Sequence, residues 1–116
     1  MSKTKKIPKF RTDGEFAIHV PDLSKAEKFY GGVLGFKLVS RERAQLVFDT
    51  GIVKLYVNKD DRITPFIPAL AVPRYDEAKA HLIENGCSIL KEFEGGKALY
   101  FADPFGITID IVEKKK

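Results

Sequence analysis

EFAIHVPDLSKAEKFYGGVLGF (residues 15–36) contains the change of hydrophobic period that decides the fold. Over 15–20 the side chains alternate, with Phe16, Ile18 and Val20 on one face and Glu15, Ala17 and His19 on the other, the period of two that a strand requires. From Asp22 onward Leu23, Ala26, Phe29, Tyr30, Val33 and Leu34 recur at three- and four-residue spacing, the pattern of a helix with one buried side. Asp22 or Ser24 can cap this helix, and Ser24 with Glu27 fits a capping box. Gly31-Gly32 weakens it, so the helix is expected to end near Tyr30 and run on as a turn before Gly35.

Three short strands follow, FKLVS (36–40), AQLVFD (44–49) and IVKLYVN (52–58), the last two separated by the turn Thr50-Gly51. NKDDRITP (58–65) is polar and ends in proline, which makes it a connection. The same order then repeats. FIPALAV (66–72) is a strand in which Pro68 predicts an edge or bulged position. PRYDEAKAHLIENG (73–86) is a helix with Tyr75, Ala78, Leu82 and Ile83 inward and Gly86 as its stop. CSILKEFE (87–94), KALYFAD (97–103) and ITIDIVE (107–113) supply three more strands, with turns at Gly95-Gly96 and Pro104-Phe105-Gly106. Each half is an amphipathic sheet with one helix, and neither buries its apolar side well alone, so pairing of the two is the natural arrangement.

A chain of 116 residues with 44% hydrophobic content suits one folded domain. No apolar run approaches the roughly 18 residues that span a bilayer, so no membrane partner is expected. MSKTKKIPKF (1–10) lacks the apolar region of a secretory signal, which favours the cytoplasm. The single Cys87 forms no internal disulfide and supplies no zinc cluster; a small residue packed at a strand start is the simple reading. The formal charge of +4 sits in Lys3, Lys5, Lys6, Lys9, Lys114, Lys115 and Lys116, and removing these seven turns +4 into −3 for the body. Basic character confined to the ends, with no basic helix carrying interleaved aromatics, argues against nucleic acid. Neither glycine pair has phosphate-loop spacing, and no nucleophile stands with a histidine base.

Taken in order, HVPDLSKAEKFYGGVLGF (19–36), YDEAKAHLIENGC (75–87) and DPFGITIDIVE (103–113) resemble the vicinal oxygen chelate superfamily, which includes glyoxalase I, extradiol dioxygenases, fosfomycin-resistance enzymes and bleomycin-resistance proteins. The first resembles the family's V-x-D-L…FY…LGF stretch, and the last its D-P-x-G turn and strand. The resemblance covers about residues 13–113. It implies an α+β fold of two paired β-α-β-β-β modules, whose strands form a U-shaped, cup-like mixed sheet with helices on the outer face. The expected organisation is a basic N-terminal tail (1–12), module one (13–58), a linker (59–65), module two (66–113) and a basic C-terminal tail (114–116). It also implies a homodimer, in which exchange of modules would suit the polar hinge.

In metal-dependent members a histidine stands seven residues before the aspartate of V-x-D-L. The matching position here is Glu15, not His19, and the same count from Arg74 reaches Ile67. The ligand positions on the last strand of each module fall at Lys54 and Asp110. Isoleucine has no donor atom and an ammonium presents only hydrogens, so this set implies no metal and no cofactor. Two readings of Lys54 stand side by side: its ammonium replaces the metal between Glu15 and Asp110, or it extends its head to the rim. His19 lies roughly 13 Å along the strand from Glu15, too far to share an ion with it, and either lines the cup or pairs with a neighbouring carboxylate or backbone group.

Strand parity places Ile52, Lys54 and Tyr56 on one face, Ile67, Ala69 and Ala71 on another, and Thr108, Asp110 and Val112 on a third. The candidate ligand-binding residues are therefore Glu15, His19, Lys54, Tyr56, Ile67 and Asp110. The resemblance then implies a metal-free protein of the bleomycin-resistance type that sequesters a small organic ligand. The alternative is a lyase, isomerase or dioxygenase of the same superfamily, metal-dependent or using Glu15 or Asp110 as acid or base. A third reading is a structural or regulatory module whose cup is filled by its own side chains.

Overall fold

The computed structural model describes residues 7–114, so Lys3, Lys5, Lys6, Lys115 and Lys116 of the expected tails lie outside the described residues. The protein is α+β and divides by packing into two compact units. The first is Gly14–Pro68; the second runs from Ala69 onward and includes the segment up to Asp13.

The first unit contains most of β1 (Arg11–Val20), then α1 (Leu23–Ala26), a wider π-helical segment (Glu27–Val33), β2 (Lys37–Glu42), β3 (Gln45–Asp49) and β4 (Lys54–Lys59). Its strands are ordered β2-β3-β4-β1, antiparallel except for the parallel β4–β1 pair. The second unit contains the last four residues of β5 (Thr64–Val72), whose first five belong to the first unit, then α2 (Tyr75–Glu84), β6 (Ser88–Glu92), β7 (Ala98–Ala102) and β8 (Thr108–Glu113). Its order is β5-β8-β7-β6, with β5–β8 parallel. The internal repeat read from hydrophobic period is thus a repeat of topology.

The two cores repeat as well. Ile18, Ala26, Leu46, Phe48, Leu55 and Val57 are buried together in the first unit, and Val72, Tyr75, Ala78, Leu99, Phe101 and Ile111 in the second. Ala26 and Ala78 are the small residues that let each helix approach its sheet, and Phe48 and Phe101 fill matching places on β3 and β7. The outer strands share a further detail that hydrophobic period does not reveal. Register shifts at Leu38/Ser40 and at Ile89/Lys91, leaving Val39 and Leu90 as the extra residues of two equivalent bulges.

The first helix departs from expectation. Asp22, not Ser24, is the cap: its Oδ1 accepts the Lys25 N–H at 3.0 Å. Beyond Ala26 the turns widen, and the helix continues to Val33 where it was expected to end near Tyr30. The widening is visible in the Leu34 N–H bond to Phe29 O at 3.0 Å, a five-residue closure. Gly31 is in reach of the core: a Cβ there would lie 3.4 Å from the Phe48 ring, an ordinary van der Waals distance. Gly32 is not: a Cβ there meets nothing within 4 Å and its φ is not positive. A helical glycine costs about 1 kcal/mol relative to alanine, so Gly32 is a local cost that packing does not require.

The second helix is regular, but its capping is non-local. Arg74 makes no side-chain cap bond; Glu113 of β8 instead accepts the Tyr75 N–H at 2.9 Å. Tyr75 donates its hydroxyl to Glu92 at 2.5 Å, and Lys79 reaches the same carboxylate at 2.8 Å, tying α2 to β6. Burial first, and then the Glu92 bond and charge, push the Tyr75 phenol far above its ordinary range. Ile83, expected inward, is exposed, because Tyr75, Ala78 and Leu82 already span the strip that α2 lays on its sheet. Cys87 packs against the second core, and that burial raises its thiol pKa.

β1 begins at Arg11, so Arg11 and Thr12 of the expected tail are strand residues. Lys114, expected in the other tail, is also engaged: its ammonium lies 2.9 and 3.0 Å from the two Asp13 oxygens. Pro68 immediately precedes the β5–β8 ladder, which starts at Ala69. Its missing N–H therefore costs that ladder nothing.

Candidate functional site

Each sheet turns one face to its helix and leaves the other free of it. In the first unit Phe16, Val20, Leu38, Phe48, Leu55 and Val57 belong to the helix side, so alternation assigns Glu15, Ala17, His19, Lys54, Tyr56 and Asn58 to the helix-free side. The parallel register pairs Glu15 with Lys54, Ala17 with Tyr56 and His19 with Asn58. The β3 strand extends these rows with Asp49, Val47 and Gln45. Those three continue the face but were missed in the sequence, where the alternation of AQLVFD was used only to place a strand.

Glu15 is half-buried, and the Tyr56 hydroxyl donates to its Oε2 at 3.2 Å. The phenol orients the carboxylate and leaves its other oxygen as an acceptor. Ile67 belongs by packing to this first unit, although it was expected as a module-two position. The Phe16 and Phe66 rings meet edge to face at 5.9 Å on the helix side, so the next residue, Ile67, turns toward the helix-free side where Glu15 and Ala17 stand. It is 1% exposed and contributes only hydrocarbon.

Lys54 lies next to Glu15 in register but is exposed, and no ion pair joins the two among the described residues. A buried Glu15–Lys54 ion pair is therefore not formed. The reason is positional: Lys54 is the first residue of β4, where its stem can carry the hydrated ammonium into solvent. His19 also has a partner that hydrophobic period could not show. Its Nδ1 lies 3.0 Å from Asp60 Oδ2, with the Nδ1–H tautomer as donor, and the Asp60 N–H bonds Val20 O at 2.9 Å. The carboxylate partner expected for His19 is thus Asp60. Asn58, beside it, accepts from Gln45 Nε2 at 2.8 Å.

The His19 hydrogen bond, followed by the Arg62 backbone N–H, holds the Asp60 carboxyl below the usual carboxylate range. A folded-state pKa below the unfolded one adds stability above the unfolded value, and the gain is lost as pH falls through the folded value. In a carboxyl-detected NMR titration Asp60 is expected to protonate at lower pH than a free aspartate. His19→Asn should return it toward the ordinary range; an unchanged midpoint would rule out the imidazole as the cause.

In the second unit Asp110 is half-buried on β8, between Ala69 of β5 and Tyr100 of β7 in register. Ile109 and Ile111 on either side belong to the helix-side core, so Asp110 is on the helix-free side. Tyr100 is half-buried and meets Phe93 edge to face at 5.0 Å, and Lys91 stands 5.1 Å over the Phe93 ring. Asp103 shapes the turn before β8 by accepting the Phe105 and Ile107 N–H groups at 2.8 and 2.9 Å, and Gly106 turns at φ 91°. Asp49 does the same on a smaller scale before β4, accepting the Gly51 N–H at 2.9 Å.

The residues at the positions resembling the family's metal ligands do not fit a divalent ion. The first unit supplies one carboxylate, an exposed ammonium and a buried isoleucine, and the second unit supplies Asp110. Among the described residues no group of three or more His, Cys, Asp or Glu side chains is arranged to hold an ion. No helix among them is long and apolar enough to cross a membrane.

No curated protein sequence matches the chain. Among solved structures it is similar to a variant of homoprotocatechuate 2,3-dioxygenase from Brevibacterium fuscum, with 23% identity and a TM-score of 0.72 over 95% of this chain and 34% of that one. The complex of the same enzyme with 3,4-dihydroxyphenylacetate gives 22% identity and a TM-score of 0.71 over 93% of this chain and 38% of the other. The chain thus spans little more than a third of those enzymes, and at this identity the likeness is one of fold. A family model carries the resemblance further, matching residues 14–111, from the first strand through β8. With that match the paired β-α-β-β-β units acquire a family: the chain belongs to the Glyoxalase/Bleomycin resistance protein/Dioxygenase superfamily.

Proposed function

We propose that the protein binds a small organic molecule without a metal, on the helix-free face of the Gly14–Pro68 sheet. The observation that carries this reading is the pair made by Glu15 and Ile67. A Tyr56-oriented carboxylate stands where a metal-dependent relative would place a histidine, and a buried hydrocarbon stands where it would place another. An acceptor beside Ala17, Val47 and Ile67 suits a mainly apolar ligand with one donor group, and sequestering it requires affinity but no bond-breaking. Asp110 offers a second acceptor on the corresponding face of the other unit. Action in the cytoplasm, and as a homodimer, belongs to the same proposal.

The test is a thermal-shift screen of small organic compounds, run with chelator and again with added Zn²⁺, Ni²⁺, Mn²⁺ or Fe²⁺. A hit should raise the melting temperature equally with and without metal. Glu15→Ala should weaken its binding about tenfold, as loss of one charged hydrogen bond predicts. Stabilisation that appears only with metal would replace this reading with the metal-dependent enzyme. A hit consumed on standing, with a product seen by mass spectrometry, would replace sequestration with catalysis.

A further inference from the structure

We propose a second small-molecule site on the other side of the first sheet, in the cleft beneath the π-helical segment, with a small aromatic anion as its ligand. The cleft has a volume of about 570 Å³ and is lined by Ser24, Glu27, Lys28, Gly31, Gly32, Phe36, Leu38 and Phe48. That volume falls within the range of pockets for small organic ligands. Phe48 closes its floor, Phe36 and Leu38 form an apolar wall, and the two glycines leave backbone where side chains would otherwise intrude.

The internal repeat provides the comparison that gives the cleft meaning. With Ala26 aligned to Ala78, Gly31 and Gly32 align with Ile83 and Glu84, and α2 remains a regular helix through those residues. The second unit therefore shows that this architecture does not require glycines here. A Cβ at Gly31 would make only an ordinary contact with Phe48, at 3.4 Å, and nothing in the fold stands within 4 Å of a Cβ at Gly32. An occupant of the cleft would account for the space that the fold leaves empty.

Charge selects the class of ligand. The Glu27 carboxylate is already bound by the Arg41 guanidinium through two hydrogen bonds, which cancels it as a receptor for cations. Lys28 is exposed and makes no ion pair among the described residues, so the cleft carries one uncompensated positive charge at its mouth. An aromatic ring against Phe36 and Leu38 with its anionic group toward Lys28 satisfies both features.

Amide NMR titrations with benzoate, benzamide and benzylamine test the proposal on the full chain. Benzoate is expected to shift the amides of Gly31, Gly32, Phe36, Leu38 and Phe48 and to bind at least fivefold more tightly than benzylamine. Lys28→Glu should reverse that preference, and Gly32→Leu should abolish the benzoate shifts while keeping the wild-type spectrum elsewhere. Shifts confined to Ala17, Val47 and Tyr56 would overturn this site while leaving the helix-free site untouched, so the two readings fail separately. Benzoate shifts unchanged in Gly32→Leu would overturn it too. So would broadening at Val33 and Leu34 that grows with protein concentration without any probe, because the face would then be a protein contact.

Discussion

Phe48→Ala is expected to destabilise the protein by about 3–5 kcal/mol, the range for emptying a fully buried aromatic site. Phe48 is 0% exposed and is the largest fully buried side chain among the described residues. It touches every layer of the first unit: its ring lies 6.1 Å from that of Tyr30 on the widened helix, it belongs to the core with Ile18 and Leu55, and it closes against Gly31. The alanine variant cannot collapse around the lost ring, because β3 is held on both sides by β2 and β4. With ordinary domains stable by roughly 5–15 kcal/mol, such a loss approaches the whole margin. Urea unfolding should show a lower midpoint at a preserved slope. Phe48→Leu should cost less than half as much, since it keeps much of the volume. A loss below 1 kcal/mol for the alanine variant would mean that the first core is not built around this ring.

Phe48 also marks what was legible in the sequence. The alternation of AQLVFD placed it on a strand, and the repeated β-α-β-β-β order followed from period alone, because side-chain direction in a strand and a helix is a local property. Which strand aromatic is core and which is surface was less clear: Phe48 and Phe66 both stand in strand stretches, yet one is fully buried and the other 61% exposed. Partner strands decide that, and partners are a matter of tertiary structure. The bulges at Val39 and Leu90 escaped for the same reason, since a bulge exists only relative to the strand beside it.

The candidate site divides along the same line. Counting from Asp22 moved attention from His19 to Glu15, and the register places Glu15 beside Lys54 as the family resemblance implies. What counting could not supply is the state of each side chain. Lys54 is exposed because it opens a strand, and His19 is engaged because the chain returns at Asp60, 41 residues later. Gly31-Gly32 was read as a helix stop because glycine disfavours helices on average. Here the helix persists by widening, which keeps the Leu34-to-Phe29 backbone bond and the packing of Tyr30 on Phe48 of β3.

Combining Glu15→His, Lys54→Glu and Ile67→His should give the first unit a metal affinity that the natural chain lacks. All three positions lie within Gly14–Pro68, Glu15 and Lys54 as register partners and Ile67 on the same helix-free side. Two imidazoles and a carboxylate form a donor set suited to Zn²⁺ or Ni²⁺, with water completing the sphere. Without metal the variant should be less stable than wild type by about 1–3 kcal/mol, because an imidazole then occupies the place of a 1%-exposed isoleucine. Metal at 100 times its dissociation constant should return about 2.7 kcal/mol. The measurement is therefore a difference: thermal unfolding with Zn²⁺ against unfolding with chelator should separate by roughly 10 °C in the variant and coincide in wild type. Calorimetric titration should count one ion per chain. If the variant keeps a native circular dichroism spectrum yet binds no ion, Glu15, Lys54 and Ile67 do not converge on one point, and the helix-free face of the first unit is not where the family's metal chemistry would sit. If it binds, the natural residues at these three positions are what keep this chain from holding a metal there.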